Sequence, residues 1–222
     1  PLLGTVDFLN DNTNATPVQV LGNLTIRSGC NLRNFGTGFE IYGNITVNGS
    51  ASYGTANARK FKISGSNAQS ISGSAAATAF QIYQLEMTKT ANVLTLNRTI
   101  KIDNNLNLVN GIIVSSAANL ITIENGATAT SASNASFVRG PVQKIGPQSF
   151  VFPTGKNSSY RPIAMGADPT GGAIVFWSEN FSSGAGWSLA NVTGAEGANP
   201  NPFVIGAAEG GGILPGGCGV AN

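Results

Sequence analysis

The chain has 222 residues, of which only 10% are charged, a net charge of +2 and no histidine. An average soluble domain carries roughly 25% charged residues, so the surface of this protein must consist largely of neutral side chains. A weakly charged chain without a basic run lacks the electrostatic footprint of a nucleic-acid binder. No apolar stretch approaches the roughly twenty residues of a membrane-spanning helix.

Small residues take the place of the usual charged ones. The sequence contains 29 glycines and 25 asparagines. Glycine and asparagine favour turns, whereas the residues that stabilise exposed helix surfaces, such as lysine and glutamate, are scarce. The composition therefore predicts an all-β protein made of strands and loops.

Residues 1–16 predict a short strand around Val6 to Leu9, followed by a polar loop. From residue 17 to residue 126 the chain repeats an apolar doublet, in which one residue separates two apolar residues. Two such residues point to the same face of a strand, so each doublet predicts one short wall of a coil. The clearest doublets are Val18/Val20, Leu24/Ile26, Phe39/Ile41, Ile45/Val47, Phe61/Ile63, Leu94/Leu96, Ile100/Ile102, Leu106/Leu108, Ile112/Val114 and Ile121/Ile123.

A longer repeat has the length of a whole coil. The segment Gly22-Asn-Leu-Thr-Ile returns almost unchanged as Gly43-Asn-Ile-Thr-Val. A period near twenty residues indicates stacked units. The two periodicities together predict a right-handed parallel β-helix, a β-solenoid of roughly five coils over residues 17–126. Asparagine and threonine at equivalent corners are expected to hydrogen-bond up and down the stack.

The rhythm of doublets ends after Ala127. Residues 127–193 are rich in aromatic residues and proline, which predicts a small β module that packs against or caps the last coil. Residues 194–222 are rich in glycine, proline and alanine and predict an extended arm or linker. The apolar residues of this arm are expected to contact a partner; they are Phe203, Val204, Ile205, Ile213 and Leu214.

Two groups of motifs resemble a known family. The first is Phe61-x-Ile63-x-Gly65 with Ala68-Gln69-x-Ile71-Ser72-Gly73, followed by the central doublets and Asn110-Gly111-Ile112-Ile113. The second is Phe137-Val138-x-Gly140-Pro141, Lys144, Phe150-x-Phe152-Pro153-x-Gly155-Lys156 and Tyr160-Arg161-Pro162-Ile163. Over residues 20–165 the chain is similar to the repetitive segments of very large Bacteroidota surface proteins.

This resemblance implies a secreted protein of the cell surface, exported by the type IX system and used in adhesion, gliding or matrix formation. Members of that group usually run far beyond this length and end in a sorting domain, which is not recognisable here. The chain is then expected to be a fragment, a processed product or a short member of the group.

Catalytic candidates are few, because histidine is the usual proton shuttle near neutral pH and none is present. Asp103 and Glu124 are separated by the same interval as the two copies of the longer repeat, so they could stack as a carboxylate pair. A catalytic or calcium role is one interpretation of this pair, and a solvated surface is the other, since bound calcium normally needs about six or more oxygen ligands. We predict no enzyme activity, cofactor or metal.

Candidate ligand or partner contacts cluster in the aromatic region. Lys156, Tyr160, Arg161, Trp177 and Trp187 combine cations with aromatic rings, which could hold a sugar or a partner strand. The alternative is that these rings form the core of the small module. Cys30 and Cys218 are either unrelated thiols, an intrachain link or, through Cys218 in the arm, a link to a neighbour.

The sequence thus predicts a non-enzymatic, extracellular structural or adhesive protein that self-associates or belongs to a longer surface assembly. A glycan or surface ligand is a candidate partner, whereas a nucleic acid is not. The alternative is a carbohydrate-binding or carbohydrate-cleaving β-helix, which would require acidic residues and exposed aromatic residues on one wall.

Overall fold

The computed structural model describes residues 5–8, 17–34, 38–53, 60–74, 80–167 and 174–177. All regular secondary structure in these ranges is β. The described residues contain no helix that is long and apolar enough to span a membrane. The strands are β1 (Thr5–Phe8), β2 (Val18–Val20), β3 (Leu24–Ile26), β4 (Asn31–Asn34), β5 (Gly38–Ile41), β6 (Ile45–Val47), β7 (Ser50–Tyr53), β8 (Lys60–Gly65), β9 (Gln69–Ser72), β10 (Phe80–Leu96), β11 (Ile100–Val114), β12 (Ile121–Ile123), β13 (Thr128–Thr130), β14 (Val138–Arg139), β15 (Val142–Ile145), β16 (Phe150–Phe152), β17 (Gly155–Lys156), β18 (Ser159–Tyr160), β19 (Ile163–Met165) and β20 (Ile174–Trp177).

Each turn of the chain contributes to three parallel ladders. The first ladder has two hydrogen-bonded parts: one consists of β1, β4 and β7, and the other of the starts of β10 and β11, followed by β12 and β15. The second ladder contains β2, β5, β8, the middles of β10 and β11, and β13. The third contains β3, β6, β9, the ends of β10 and β11, and β14. The second ladder has six strands, so the chain makes five turns between the first and the last of them, and the predicted β-solenoid is confirmed.

The longer sequence repeat corresponds to one turn of this stack. Leu24 pairs with Ile45 and Ile26 with Val47, in parallel and without a register shift. The corner asparagines also form the expected ladder, because Asn23 Oδ1 accepts the backbone N–H of Asn44 (2.8 Å) and Asn44 Oδ1 accepts that of Ser70 (2.8 Å). Polar corners are thereby satisfied by the next turn.

The interior is a continuous aliphatic column filled by the doublets. In the second ladder Phe39, Ile41, Phe61 and Ile63 point inward and are at most 5% exposed. The rings of Phe39 and Phe61 lie 5.6 Å apart, and Phe61 makes an edge contact with Phe80 at the same centroid distance. Burial of such side chains is the main source of stability, roughly 1.5–3 kcal/mol for each one.

One predicted doublet is wrong. Ile113 is fully buried, whereas Ile112 and Val114 are only half-buried. Ile113 stacks between Leu94 and Val138, so it occupies the inward position of the third ladder. Gly111 causes the change, because its φ of 99° lets the chain bend at a point where an L side chain is strained, and the alternation shifts by one residue.

The parallel pairing continues past residue 126, where the predicted solenoid ends. Strands β13, β14 and β15 stack in parallel on β11 and β12. Beyond them the pairing becomes antiparallel: β16 pairs with β19, β17 with β18, and β20 with β15. The aromatic region therefore adds the last parallel strands and then an antiparallel cover. Trp187 and the predicted arm lie outside the described residues.

Candidate functional site

Three of the predicted ligand contacts lie together in the β17–β18 hairpin and the residue that follows it. Lys156 and Tyr160 are half-buried, and Arg161 is exposed. Burial raises the pKa of Tyr160. The hairpin is fixed to the stack because Asn134 Oδ1 accepts the Tyr160 backbone N–H (2.8 Å), and the Thr154 carbonyl accepts that of Arg161 (2.9 Å). The hairpin thus places two cationic residues and a tyrosine close together in the chain, just beyond the third ladder.

Trp177 belongs to a different ladder. Its backbone lies in β20, opposite Val142 of the first ladder, whereas the hairpin follows the third ladder through the bridge between Val138 and Thr154. Trp187 lies outside the described residues, as do Phe203, Val204, Ile205, Ile213, Leu214 and Cys218. The structure therefore brings Lys156, Tyr160 and Arg161 together and does not group Trp177 with them.

Asp103 and Glu124 lie on adjacent turns, as their spacing predicts. Ile102 pairs with Ile123 in parallel strands, and each acid is the next residue along the chain. The two acids therefore occupy equivalent positions on the two turns. Burial, and then the charge of Glu124, raises the pKa of Asp103 from 3.8 to about 6. Lys101 Nζ lies 2.9 Å from a Glu124 carboxylate oxygen. One acid of the pair is thus neutralised by a lysine, while the other holds its proton more tightly than an ordinary aspartate.

The outward side chains of the second ladder form a continuous row of polar groups, which we call the polar wall. Near the end of the wall formed by β2, the carboxylate of Glu40 accepts hydrogen bonds from Ser64 Oγ (2.8 Å) and Gln19 Nε2 (3.2 Å). It also pairs with Lys62 Nζ (2.9 Å). The Lys62 hydrogen bond lowers the pKa of Glu40 to about 2. The polar wall consists of Gln19, Glu40, Lys60, Lys62, Ser64, Gln84, Glu86, Thr88, Asn105, Asn107, Thr128 and Thr130.

Polar side chains of adjacent turns also bond to one another in the part of the polar wall formed by β10, β11 and β13. Glu86 pairs with Lys60 Nζ (2.9 Å) and accepts a hydrogen bond from Asn107 Nδ2 (3.0 Å). Burial would raise the pKa of Glu86, but these two donors lower it below its ordinary value. Thr130 Oγ1 donates to Asn107 Oδ1 (3.2 Å), and Asn105 Nδ2 donates to Thr128 Oγ1 (2.8 Å). Polar side chains on successive turns therefore satisfy one another, from the first strand of the ladder to the last.

Two buried lysines were missed by the sequence reasoning. Lys89 is 0% exposed and Lys144 is 1% exposed, and burial lowers the pKa of both, although Glu124 partly offsets the effect at Lys144. Lys89 Nζ donates to the carbonyl of Asn67 (2.7 Å) and to Gln69 Oε1. The sequence did contain a signal for their burial. Each lysine stands two residues after an inward apolar residue, Met87 or Val142, and alternate residues of a strand point to the same face.

Both lysines anchor a corner of the preceding turn. Lys144 Nζ donates to the carbonyls of Glu124 (2.7 Å) and Ala127 (3.0 Å) and lies 5.4 Å from the centre of the Phe150 ring. Lys89 acts in the same way on the corner that follows β8. An ammonium group supplies several donors, so each lysine binds two or more acceptors at one corner of the preceding turn.

Cys30 is half-buried and lines an apolar cavity of about 250 Å³ in the first turn, together with Leu24, Ile26 and Leu32. In the part of the chain that the structure describes, no group of three or more histidine, cysteine, aspartate or glutamate residues could hold a metal ion. No protein-family model, curated protein or solved structure matches the chain.

Proposed function

We propose that this chain is a non-enzymatic structural or adhesive protein of the cell surface or extracellular space. The observation that carries the proposal is the polar wall, in which the side chains bond to one another from turn to turn. A catalytic site aims polar groups at the place where a substrate reacts. Here the polar groups of the second ladder are used to hold the turns of the stack together.

The architecture supports a mechanical role. Each turn is joined to the next by at least two hydrogen-bonded ladders, the second and the third, and the apolar interior runs through the stack. In such a stack every repeat contacts its neighbours over its whole cross-section. Pulling one turn away would break these ladders and expose apolar surface at the same time, so the stack is suited to bear load.

The polar wall also suits a contact surface. Its charged members are two carboxylates and two lysines, Glu40 with Lys62 and Glu86 with Lys60. These charges balance, so the wall is neutral as a whole and repels neither an anionic nor a cationic surface. Its side chains are already fixed by one another, which lowers the entropy lost when they bind.

Self-association is part of the proposal and is placed at the end of the stack formed by β2 and β3. In the described residues each of these strands pairs on one side only, β2 with β5 and β3 with β6. At the opposite end β20 covers β15 in antiparallel fashion. An unpaired strand edge is a template for another strand, and the resemblance to Bacteroidota surface proteins supports the same role.

The test uses the purified chain and the chain displayed on bacterial cells. We expect filaments or end-to-end particles in negative-stain electron microscopy, and stronger attachment of displaying cells to glass, agarose and chitin under flow. Thr130→Glu adds a negative charge to the polar wall and should reduce attachment, whereas Ala117→Glu, at an exposed corner outside it, should not. A chain that stays monomeric and gives no attachment above that of control cells would contradict the proposal.

A carbohydrate-cleaving function is the second candidate, and one observation favours it. Asp103 carries a raised pKa and lies beside the carboxylate of Glu124, and glycoside hydrolysis uses a carboxylic acid with a raised pKa together with a second carboxyl group. Incubation with a panel of soluble polysaccharides, followed by measurement of new reducing ends, tests it. Product that disappears in Asp103→Asn would favour the enzyme, and no product with any substrate would exclude it for that panel.

A further inference from the structure

Three Asn–Gly pairs occur in the chain, at residues 48–49, 110–111 and 125–126. An Asn–Gly pair can react with itself, because glycine has no side chain to hinder its backbone nitrogen. That nitrogen loses its proton and bonds to the side-chain carbonyl carbon of the asparagine, while the bond from this carbon to Nδ2 breaks and ammonia leaves. Water then opens the cyclic imide to aspartate or isoaspartate. The structure treats the three pairs differently.

The nitrogen of the glycine is bound in two of the pairs. The Gly49 N–H donates to the Ile26 carbonyl (3.1 Å), and the Gly111 N–H donates to the Ala135 carbonyl (2.9 Å). Both bonds join adjacent turns of the stack, so attack by either nitrogen would first require a local opening of the solenoid. Gly49 is further confined, since a Cβ at that position would lie 2.2 Å from the Cys30 carbonyl oxygen.

The third pair lies in an exposed turn between β12 and β13, closed by the Ala127 N–H bonding to the Glu124 carbonyl (3.0 Å). The nitrogen of Gly126 lies 3.5 Å from Gln148 Oε1, at the limit of a hydrogen bond, and a Cβ on Gly126 would meet no atom within 4 Å. Gln148 Nε2 also donates to Asn125 Oδ1 (2.7 Å). That bond draws electron density from the carbonyl carbon that must be attacked.

We propose that Asn125–Gly126 is a site of spontaneous conversion to aspartate and isoaspartate in the folded protein, with water as the only co-reactant. The nucleophile, the Gly126 nitrogen, is weakly bound and accessible, and the electrophile, the Asn125 carbonyl, is polarised by Gln148. Asn48 and Asn110 have the same chemistry but are protected by the ladders, so the fold selects one of three chemically equivalent sites.

The conversion has a structural consequence because this turn is the one that Lys144 anchors. Lys144 Nζ binds the carbonyls of Glu124 and Ala127, which flank the reacting pair. Isoaspartate adds one methylene to the main chain between these carbonyls, and both products add a negative charge beside Glu124. The two acceptors then no longer fit one ammonium group, and the corner loosens as the protein ages.

The experiment is incubation of the full folded chain in mildly alkaline buffer at physiological temperature, followed by peptide mass spectrometry. We expect a mass gain of about 1 Da at Asn125 that forms about tenfold or more faster than at Asn48 or Asn110, since a ladder hydrogen bond and its neighbours must open there first. In guanidinium chloride the three rates should become similar. Equal rates in the folded protein, or no conversion at Asn125, would overturn the proposal.

The variant Asn125→Gln separates the modification from its consequence. Glutamine retains a side-chain carbonyl, but cyclisation would need a larger ring, which forms far more slowly. The wild-type melting temperature should fall during the incubation, while that of Asn125→Gln should stay constant. An unchanged melting temperature in wild-type protein that is fully converted at Asn125 would refute the loosening of the corner.

Discussion

Glu40 and Asp103 are carboxylates of the same stack, but their pKa values move in opposite directions. Lys62 and two neutral donors surround Glu40 and lower its pKa to about 2. Asp103 lies next to another carboxylate, Glu124, in a partly desolvated position, and its pKa rises to about 6. The difference arises first from burial, which dominates at Asp103 and is outweighed by hydrogen bonds at Glu40, and then from the charge of the residue that the adjacent turn supplies.

Asp103→Asn should stabilise the protein at neutral pH. Between pH 3.8 and about pH 6 the folded protein keeps a proton on Asp103 that the unfolded chain releases. The free energy of unfolding therefore falls as the pH rises through this window. Asparagine does not titrate, so at about pH 7.5 the variant should melt roughly 2–4 °C higher than wild type, the shift that about 1 kcal/mol gives at this chain length.

The advantage of Asp103→Asn should disappear below about pH 4, where Asp103 is protonated in both states. Glu40→Gln is the contrasting variant, because the stabilisation by a lowered pKa is present above pH 4.5 and is lost as the pH falls through about 2. It should melt below wild type at neutral pH, by a margin that shrinks on acidification. Melting curves of Asp103→Asn that match wild type at every pH would contradict the pKa assignment.

Removal of either buried lysine should be costly. Lys89→Met keeps the apolar stem but removes the lysine donor from the Asn67 carbonyl and from Gln69 Oε1. Lys144→Met removes it from the Ala127 and Glu124 carbonyls, of which the Glu124 carbonyl keeps the Ala127 N–H. An unsatisfied buried polar group costs about 1–3 kcal/mol, so we expect each variant to lose about 2–4 kcal/mol in urea unfolding. Lys60→Met is the matched control: its side chain is 39% exposed, and loss of a surface ion pair costs at most about 1 kcal/mol. Equal losses in all three variants would argue against the anchoring role.

For the strands, the sequence predicted most of the inward-pointing pairs correctly and failed where a glycine shifts the alternation. The doublets predicted Phe39/Ile41, Phe61/Ile63 and Leu94/Leu96 as inward pairs, and all of these residues are buried. Period-two alternation works because each strand is buried on one face only. It failed at Ile112/Val114 because a single glycine with positive φ shifts the alternation, and a glycine in a sequence does not reveal its φ.

The sequence predicted a candidate site only where the interval between two residues equals the number of residues in one turn of the stack. Asp103 and Glu124 were found because one period separates them. The polar wall was not found as a unit, because its turns differ in length: the interval from Glu40 to its partner Lys62 is shorter than the interval from Lys62 to its next partner, Glu86. Lys144 was assigned to a motif but not to the interior, since charged residues are almost never fully buried and its acceptors are backbone carbonyls.

Replacing the glycine at one corner of the repeat with alanine should destabilise the protein in one copy of the repeat and not in the other. A Cβ at Gly43 would lie 2.3 Å from the Gly22 carbonyl oxygen, whereas a Cβ at Gly22 would meet no atom within 4 Å. Gly43→Ala should therefore force the first two turns apart and cost about 2 kcal/mol or more, the range of overpacked sites. Gly22→Ala should be neutral or stabilising by up to about 1 kcal/mol, through a less flexible unfolded chain.

Both glycines precede an asparagine in equivalent copies of the repeat, so the intrinsic effect of replacing glycine with alanine should be similar in the two variants. Urea denaturation of both, followed by circular dichroism, gives the difference directly. If Gly22→Ala were as destabilising as Gly43→Ala, the contact between turns would not be the cause.

For the whole molecule, stability should be graded along the stack and not uniform. In a solenoid each turn is stabilised by its two neighbours, so a terminal turn lacks one set of interactions. Strands β10 and β11 have paired neighbours on both sides in the ladders, and their inward residues Ile82, Leu85, Ile102 and Leu106 are 0% exposed. In β2 and β3 the inward residues Val18, Val20 and Leu24 are only partly buried.

Hydrogen–deuterium exchange should therefore be slowest in β10 and β11 and fastest in β2 and β3. The free energy of opening should decrease from the central turns, where it approaches that of global unfolding, towards the first turn. Ile113→Ala is a useful variant, because it removes a fully buried side chain from the third ladder at a cost of about 2–5 kcal/mol. In a stack of nearest-neighbour units this loss should accelerate exchange in β10, β11 and β14 more than in β2 and β5. Equal acceleration in every strand would instead indicate a single cooperative unit, in which the turns do not open separately.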